Sequence, residues 1–209
     1  MVRLAVFSAD AIVDAAITLL AEGGPAAASL AAIARKVGAP TGSIYHRFES
    51  RAAIIATAWN ALHGAFVAAV APPLGAGDGR AAALALVAWA RGDARGARVL
   101  LLNDAEQVLD DAPPAVLRAA FQRQQDALDD AFRSCLQLLV AHRPIPDEDA
   151  SRVRFLVFDG PVALLRPHLL ARGAVPAFVD AMVSQMHDAL APAAAPPRAR
   201  RRSMARAGA

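Results

Sequence analysis

The chain has 209 residues, of which 56% are hydrophobic by type, 20% charged and 5% aromatic. A chain this apolar can offset the entropy of folding by burial, which excludes an intrinsically disordered protein, and its length suits one compact domain or two small ones. Alanine supplies roughly a quarter of the residues, which disfavours an all-β fold and points to closely packed helices.

The formal charge is +3 and the isoelectric point is near 9.9, a balance that invites a nucleic-acid or membrane-surface partner. The distribution matters more than the sum. Residues 1–60 carry +1, residues 61–190 carry −3, and residues 191–209 carry five arginines and no acid. The basic excess therefore belongs to the C-terminal tail, a low-complexity segment expected to be disordered. A single cysteine, Cys135, excludes an internal disulfide or a cysteine zinc cluster and fits a reducing cytosol. No uninterrupted apolar run reaches the roughly 18 residues of a membrane span. Asp10 and Asp14 interrupt what would be the core of a signal peptide. The chain reads as soluble and cytoplasmic, without a membrane partner.

Taken in chain order, Ile12, Ala15, Ala16, Leu19 and Leu20 form the stripe of an amphipathic helix capped by Ser8 and stopped by Gly23-Gly24-Pro25. A short second helix starts at the cap Ser29 and ends at Gly38, where a left-handed residue is wanted. A third opens near Pro40, runs through Thr41-Gly42-Ser43-Ile44-Tyr45-His46 and ends near Phe48. Ser50 caps a longer fourth helix with Ile54, Ile55, Trp59 and Leu62. Two short helices joined by a Gly-containing turn and packed on a longer one describe a helix-turn-helix unit. Gly42 inside the second short helix costs about 1 kcal/mol relative to Ala. It is either tolerated in a helix supported by tertiary contacts or kept so that the backbone can come close to DNA.

The run Ile12-x-x-Ala15-Ala16-x-x-Leu19, Gly24, Ser29, Ile33-Ala34-x-x-Val37-Gly38, Gly42-Ser43-Ile44-Tyr45-x-x-Phe48-x-Ser50-Arg51 resembles the DNA-binding domain of the TetR family of one-component transcriptional regulators. Arg51 stands where that family usually has lysine. The resemblance and the side-chain chemistry assign phosphate contacts to Ser29, Tyr45 and Arg51, and base-edge contacts to Thr41, Ser43, His46 and Arg47, with Gly42 between them. Arg47 is the expected guanine reader, because its guanidinium can bond O6 and N7 together. The alternative for Tyr45 is a ring packed beneath the helix.

Beyond Phe66, Pro72-Pro73-Leu74-Gly75-Ala76-Gly77-Asp78-Gly79 reads as a loop. Helices are expected over about 80–92, 95–110, 114–142, 146–173 and 176–190, with kinks at Pro161 and Pro167. The resemblance implies a small-molecule effector pocket in the middle helices, for which Trp89, Asn103, Gln107, Phe132, Cys135, Phe155 and Asp159 are the candidates. Asp159 could equally cap freed backbone donors or face solvent. It also implies a homodimer built on the last two long helices, drawing on Val157, Leu164, His168, Phe178, Met182 and Met186, which could instead be monomer core.

No Gly-x-Ser-x-Gly elbow or His-Glu-x-x-His helix is present, and His63, His142, His168 and His187 lack metal-ligand spacing. No catalytic residue, metal or cofactor is expected. The reading is an all-α, TetR-like chain of about nine helices. It divides into a helix-turn-helix domain at 1–50 with a linking helix at about 50–70, an effector-binding and dimerisation domain at 71–190, and a tail at 191–209. The expected function is a ligand-responsive repressor that binds a pseudo-palindromic double-stranded operator as a homodimer. A non-specific or architectural DNA-binding protein is the alternative, and a helical enzyme a more distant one.

Overall fold

The computed structural model describes residues 7–109, 112–140 and 147–190. His142 and the arginine-rich tail 191–209 lie outside them. Eleven α-helical segments and one π turn, and no strand, are found among the described residues.

The N-terminal unit is α1 (Ala9–Ala27), α2 (Leu30–Val37), α3 (Thr41–Tyr45) and the first half of α4 (Arg51–Gly75). Its caps are those the sequence announces. Ser8, Ser29 and Ser50 each accept a hydrogen bond from the amide three residues on, at Ala11, Ala32 and Ala53, satisfying donors that the helix leaves open. Within α1, Gly23 and Gly24 leave helical geometry, Gly24 at φ +68°, so the regular helix does stop there, with Pro25 opening one further turn. Ile12, Leu20, Ile33, Ile44 and Ile54 are fully or almost fully buried and meet in one cluster with Trp59. A five-residue helix has no stability of its own; α3 is held through Ile44, which has no exposed surface.

Helix α4 is longer than expected. It continues through Pro72 and Pro73 to Gly75, and the loop foreseen at 72–79 shrinks to the turn at residues 76–78. The chain leaves the helix where Gly77 takes φ +85°, with its amide on the Leu74 carbonyl at 2.9 Å and that of Asp78 on Pro73 at 3.0 Å. The first half of α4 is buried in the N-terminal cluster. Its second half, Phe66 to Leu74, lies in a second cluster with Leu86, Val87, Leu165, Leu169, Val179 and Val183. Among the described residues α4 is the one helix long and apolar enough to cross a membrane, with mean hydropathy 1.5 over its richest window, 61% of it buried. Burial in two cores accounts for that apolarity.

The C-terminal unit adds α5 (Gly79–Gly92), α6 (Ala94–Leu102), the single turn α7 (Ala105–Val108), α8 (Ala115–Val140), α9 (Asp147–Arg154), a π turn (Phe155–Asp159), α10 (Gly160–Leu170) and α11 (Phe178–Leu190). The helix expected over 95–110 breaks at Asn103, whose side-chain amide caps α6 by donating to the carbonyls of Arg98 and Val99 at 3.1 and 3.0 Å. The disruption expected at Pro161 is a π turn placed just before it, with the Gly160 amide reaching back five residues to Phe155. Pro167 sits inside α10 without ending it.

Helices α4 and α8 form the most extensive packed pair, joined by a polar seam. Asn60 Nδ2 donates to the Leu117 carbonyl at 2.9 Å, Gln124 Nε2 donates to the Asn60 carbonyl at 3.1 Å, and His63 Nδ1 lies 2.8 Å from Gln124 Oε1. Gln124 uses its NH2 group as donor, so its oxygen accepts and the proton sits on His63 Nδ1.

Candidate nucleic-acid interface and effector cavities

The turn between α2 and α3 is set by Gly38, at φ +74°, a conformation that glycine adopts without steric cost. Its amide donates to Arg35 at 3.2 Å, and that of Ala39 to Ala34 at 2.9 Å, closing α2 before Pro40 directs the chain into α3. Burial of Ile44 then fixes which face of α3 turns outward. Thr41, Gly42, Tyr45, His46 and Arg47 are exposed and Ser43 is half-buried. Tyr45 keeps 57% of its surface open, so its ring is not tucked beneath the helix.

Gly42 differs from Gly38. It has no positive φ, and a β-carbon added there would meet no atom within 4 Å. Neither the backbone conformation nor the internal packing of this chain calls for glycine, which fits a tolerated glycine as well as one kept for a close approach to DNA.

Arg51, expected to hold a phosphate, also makes contacts within the chain. Its guanidinium turns back beneath α2, with Nε donating to the Ala28 carbonyl at 2.9 Å and Nη2 to Pro25 at 2.8 Å. It pins the α1–α2 connection to the head of α4. The planar fork of arginine suits two carbonyls at once, which the point charge of lysine does not. Ser29 spends its hydroxyl on the α2 cap.

Two separate cavities of the C-terminal unit contain residues expected to form the pocket. A central one of about 300 Å³ lies between α4, α5, α6, α8 and the π turn, with Phe66, Phe132 and Phe158 in its walls and Gln125, Asp129 and Arg154 as polar groups. Of the expected pocket residues it contains Phe132. Trp89 stands behind it, edge-on to Phe66 at 5.3 Å, and Cys135 lines a different, smaller cavity. Asn103 is the α6 cap described above, and Gln107 is exposed on α7. Phe155 is 44% exposed, and Asp159 faces outward 4.0 Å from Arg154. The stripe that reaches the cavity is Arg154, Phe158 and Val162, one position away from the expected pair. Arg154 could have been found from its i, i+4, i+8 relation to the two apolar residues.

The expected dimer face is divided as well. Phe178 and Met182 are exposed, joined by Leu170 and Leu190, and His168 lies edge-on to Phe178 at 5.9 Å. Leu164 is half-buried against the core, and the Met186 methyl fills the space over Gly160. Val157 has no exposed surface; its side chain belongs to the core of its own chain.

Desolvation acts on three groups. Burial holds the His63 imidazole below its ordinary pKa despite the hydrogen bond it donates to Gln124. His187 is likewise held low by burial, against a smaller opposing effect of the Leu156 carbonyl. Burial, with Asp78 nearby, pushes the Cys135 thiol up and keeps it protonated. Among the described residues no group of three or more His, Cys, Asp or Glu side chains could hold a metal ion.

Residues 12–58 match the model of the bacterial regulatory proteins of the tetR family. Residues 12–58 thus carry the N-terminal domain of the tetR family of regulators. The match covers α1 to α3 and the first part of α4, the same segment whose outward face is described above. No curated protein sequence matches the chain. Several solved structures share its fold, two regulators among them. One is the fatty acid degradation regulator FadR from Bacillus halodurans, at TM-score 0.58 and 18% identity over 88% of this chain and 97% of that one. The other is described as a tetR family transcription regulator from Shewanella sp. PV-4, at TM-score 0.59 and 17% identity over 88% and 98%. The described residues are thus all-α with the fold of these two structures, and residues 12–58 are the part that the model of DNA-binding regulators matches.

Proposed function

We propose that this protein is a TetR-family regulator, a ligand-responsive repressor that binds a pseudo-palindromic operator as a homodimer. The observation that carries the reading is the outward face of α3, where Thr41, Tyr45, His46 and Arg47 are exposed around a glycine that this chain's own packing does not require. Arg47 reads a guanine edge, Thr41, Ser43 and His46 meet neighbouring bases, and Tyr45 and the α2 N-terminus at Ser29 hold phosphates. Gly42 lets the backbone approach.

The effector enters the central cavity, an apolar space with few polar groups of the kind that binds small molecules. It contacts α4, α6 and α8 there. Helix α6 packs on α1 and α4 runs directly into the DNA-binding unit, so a ligand that prefers one arrangement of these helices changes the separation of the two recognition helices. The dimer forms through the exposed apolar residues of α10 and α11, with Phe178 and Met182 near its centre. The test is a mobility-shift assay of the full chain on DNA upstream of its own gene, at several salt concentrations. Specific, saturable binding by a dimer supports the reading, and no shift on any genomic fragment by a folded dimer refutes it.

A further inference from the structure

The second cavity lies at the N-terminal end of α5, whereas the central one meets the middle of that helix at Leu86. It has a volume of about 190 Å³ and a largely apolar lining, with Cys135 and Leu139 of α8, Leu156 and Val157 of the π turn, and His187 of α11 among its walls. Gly77 and Gly79 form one side, where side chains would take up space. Arg80 stands at the edge, its guanidinium paired with Asp188. An apolar cavity of about 150 Å³ holds benzene, so the space suits a single-ring or compact two-ring molecule.

The chemistry is specified by His187, which is 6% exposed. Its Nε2 lies 3.2 Å from the Leu156 carbonyl. A carbonyl only accepts, so the proton is on Nε2 and Nδ1 is left as an acceptor. Among the described residues no donor meets Nδ1. We propose that this cavity is a second ligand site, selective for small uncharged aromatic molecules bearing one hydrogen-bond donor, of which phenol and indole are the type, with His187 Nδ1 accepting that hydrogen bond. The Cys135 thiol, fully buried in the same wall, supplies apolar contact and a reporter, since the sequence contains no other cysteine. Burial disfavours the imidazolium, which keeps Nδ1 available near neutral pH.

The test uses phenol and benzene as probes on the full chain, by calorimetry and by the rate at which methyl methanethiolsulfonate modifies Cys135. Phenol is expected to bind roughly 2- to 10-fold tighter than benzene, the value of one net hydrogen bond. At ten times its Kd, phenol slows modification about tenfold. His187→Phe removes the preference for phenol while benzene still binds, and Phe132→Ala, in the central cavity, changes neither. Equal binding of the two probes, modification unslowed by bound phenol, or loss of phenol binding in Phe132→Ala would each overturn the proposal. The measurements on the unaltered chain decide the matter even where His187→Phe does not fold.

Discussion

Arg95 on α6 is bound to Asp14 on α1, its Nη2 donating to Oδ1 at 2.5 Å, and the same guanidinium reaches Thr18 Oγ1 through Nη1 at 2.9 Å. A second tie crosses nearby, from Arg172 Nη2 to the Glu22 carbonyl at 2.8 Å. Both Arg95 and Asp14 are more than a third exposed, so the pair is screened and worth less than about 1 kcal/mol. Its importance lies in what it joins, the helix beneath the central cavity and the first helix of the DNA-binding unit. Arg95→Ala is expected to change unfolding free energy by under about 1 kcal/mol. It should reduce the effector-induced change in operator affinity by roughly 2- to 30-fold, the range of single-residue coupling effects. Urea denaturation and anisotropy titrations with and without effector measure the two.

Gly42 separates stability from function. Gly42→Ala places a methyl group in open space and removes the entropic cost of glycine, so the folded state gains up to about 1 kcal/mol. The same methyl stands between the α3 backbone and DNA, and operator affinity should fall by tenfold or more, about what one lost contact costs. Loss of stability with unchanged DNA binding would show that the glycine serves the fold.

Arg47 and Arg51 should behave differently although both carry one positive charge. Arg51→Ala removes the side-chain donor from the carbonyls of Ala28 and Pro25, the latter keeping only the Ala28 amide at 3.2 Å, and should cost about 1–3 kcal/mol of stability, with Arg51→Lys restoring only part. Arg47→Ala should leave the unfolding midpoint in place, weaken operator binding by about 1–3 kcal/mol and relax discrimination at one base pair. Thermal melts and binding to a set of single-base operator variants distinguish the two residues.

The buried histidines make stability depend on pH. His63 and His187 titrate below their ordinary value in the folded chain and near 6.5 when unfolded. Between those values the unfolded chain binds more protons, so stability rises with pH through the window, is complete above about 6.5 and is lost as pH falls below it. The slope is at most about 1.4 kcal/mol per pH unit for each histidine. Urea midpoints should drop from pH 7.5 to pH 5.5, and His63→Gln should flatten that drop.

The DNA-binding unit was legible because its signals are local. Ser8, Ser29 and Ser50 cap the helices they precede, Gly38 takes the left-handed turn, and Ile33 and Ile44 are the buried positions that the spacing marks. The internal contacts of Arg51 were not legible, because its partners are carbonyls 23 and 26 residues away, a relation no spacing rule contains. In the C-terminal unit periodicity found the long helices but not what perturbs them. Pro72 and Pro73 read as a loop yet ride in the last turn of α4, Asn103 ends a helix through its own side chain, and the π turn before Pro161 changes the register of everything after it. Asp159, at the end of that turn, faces solvent, and Arg154 and Phe158 reach the cavity in place of Phe155. Val157 and Phe178 are equally apolar in sequence, and only the packed structure separates core from surface.

The central claim is sequence-specific binding of DNA by the outward face of α3. The most direct measurement is the affinity of the full chain for its upstream DNA against random DNA of equal length, near physiological salt, with footprinting of the bound fragment. The account predicts a preference of at least about 10³-fold and two protected half-sites about 34–36 Å apart, both lost in Arg47→Ala combined with Gly42→Ala. Equal affinity for both DNAs, or a preference that survives the double substitution, would contradict it.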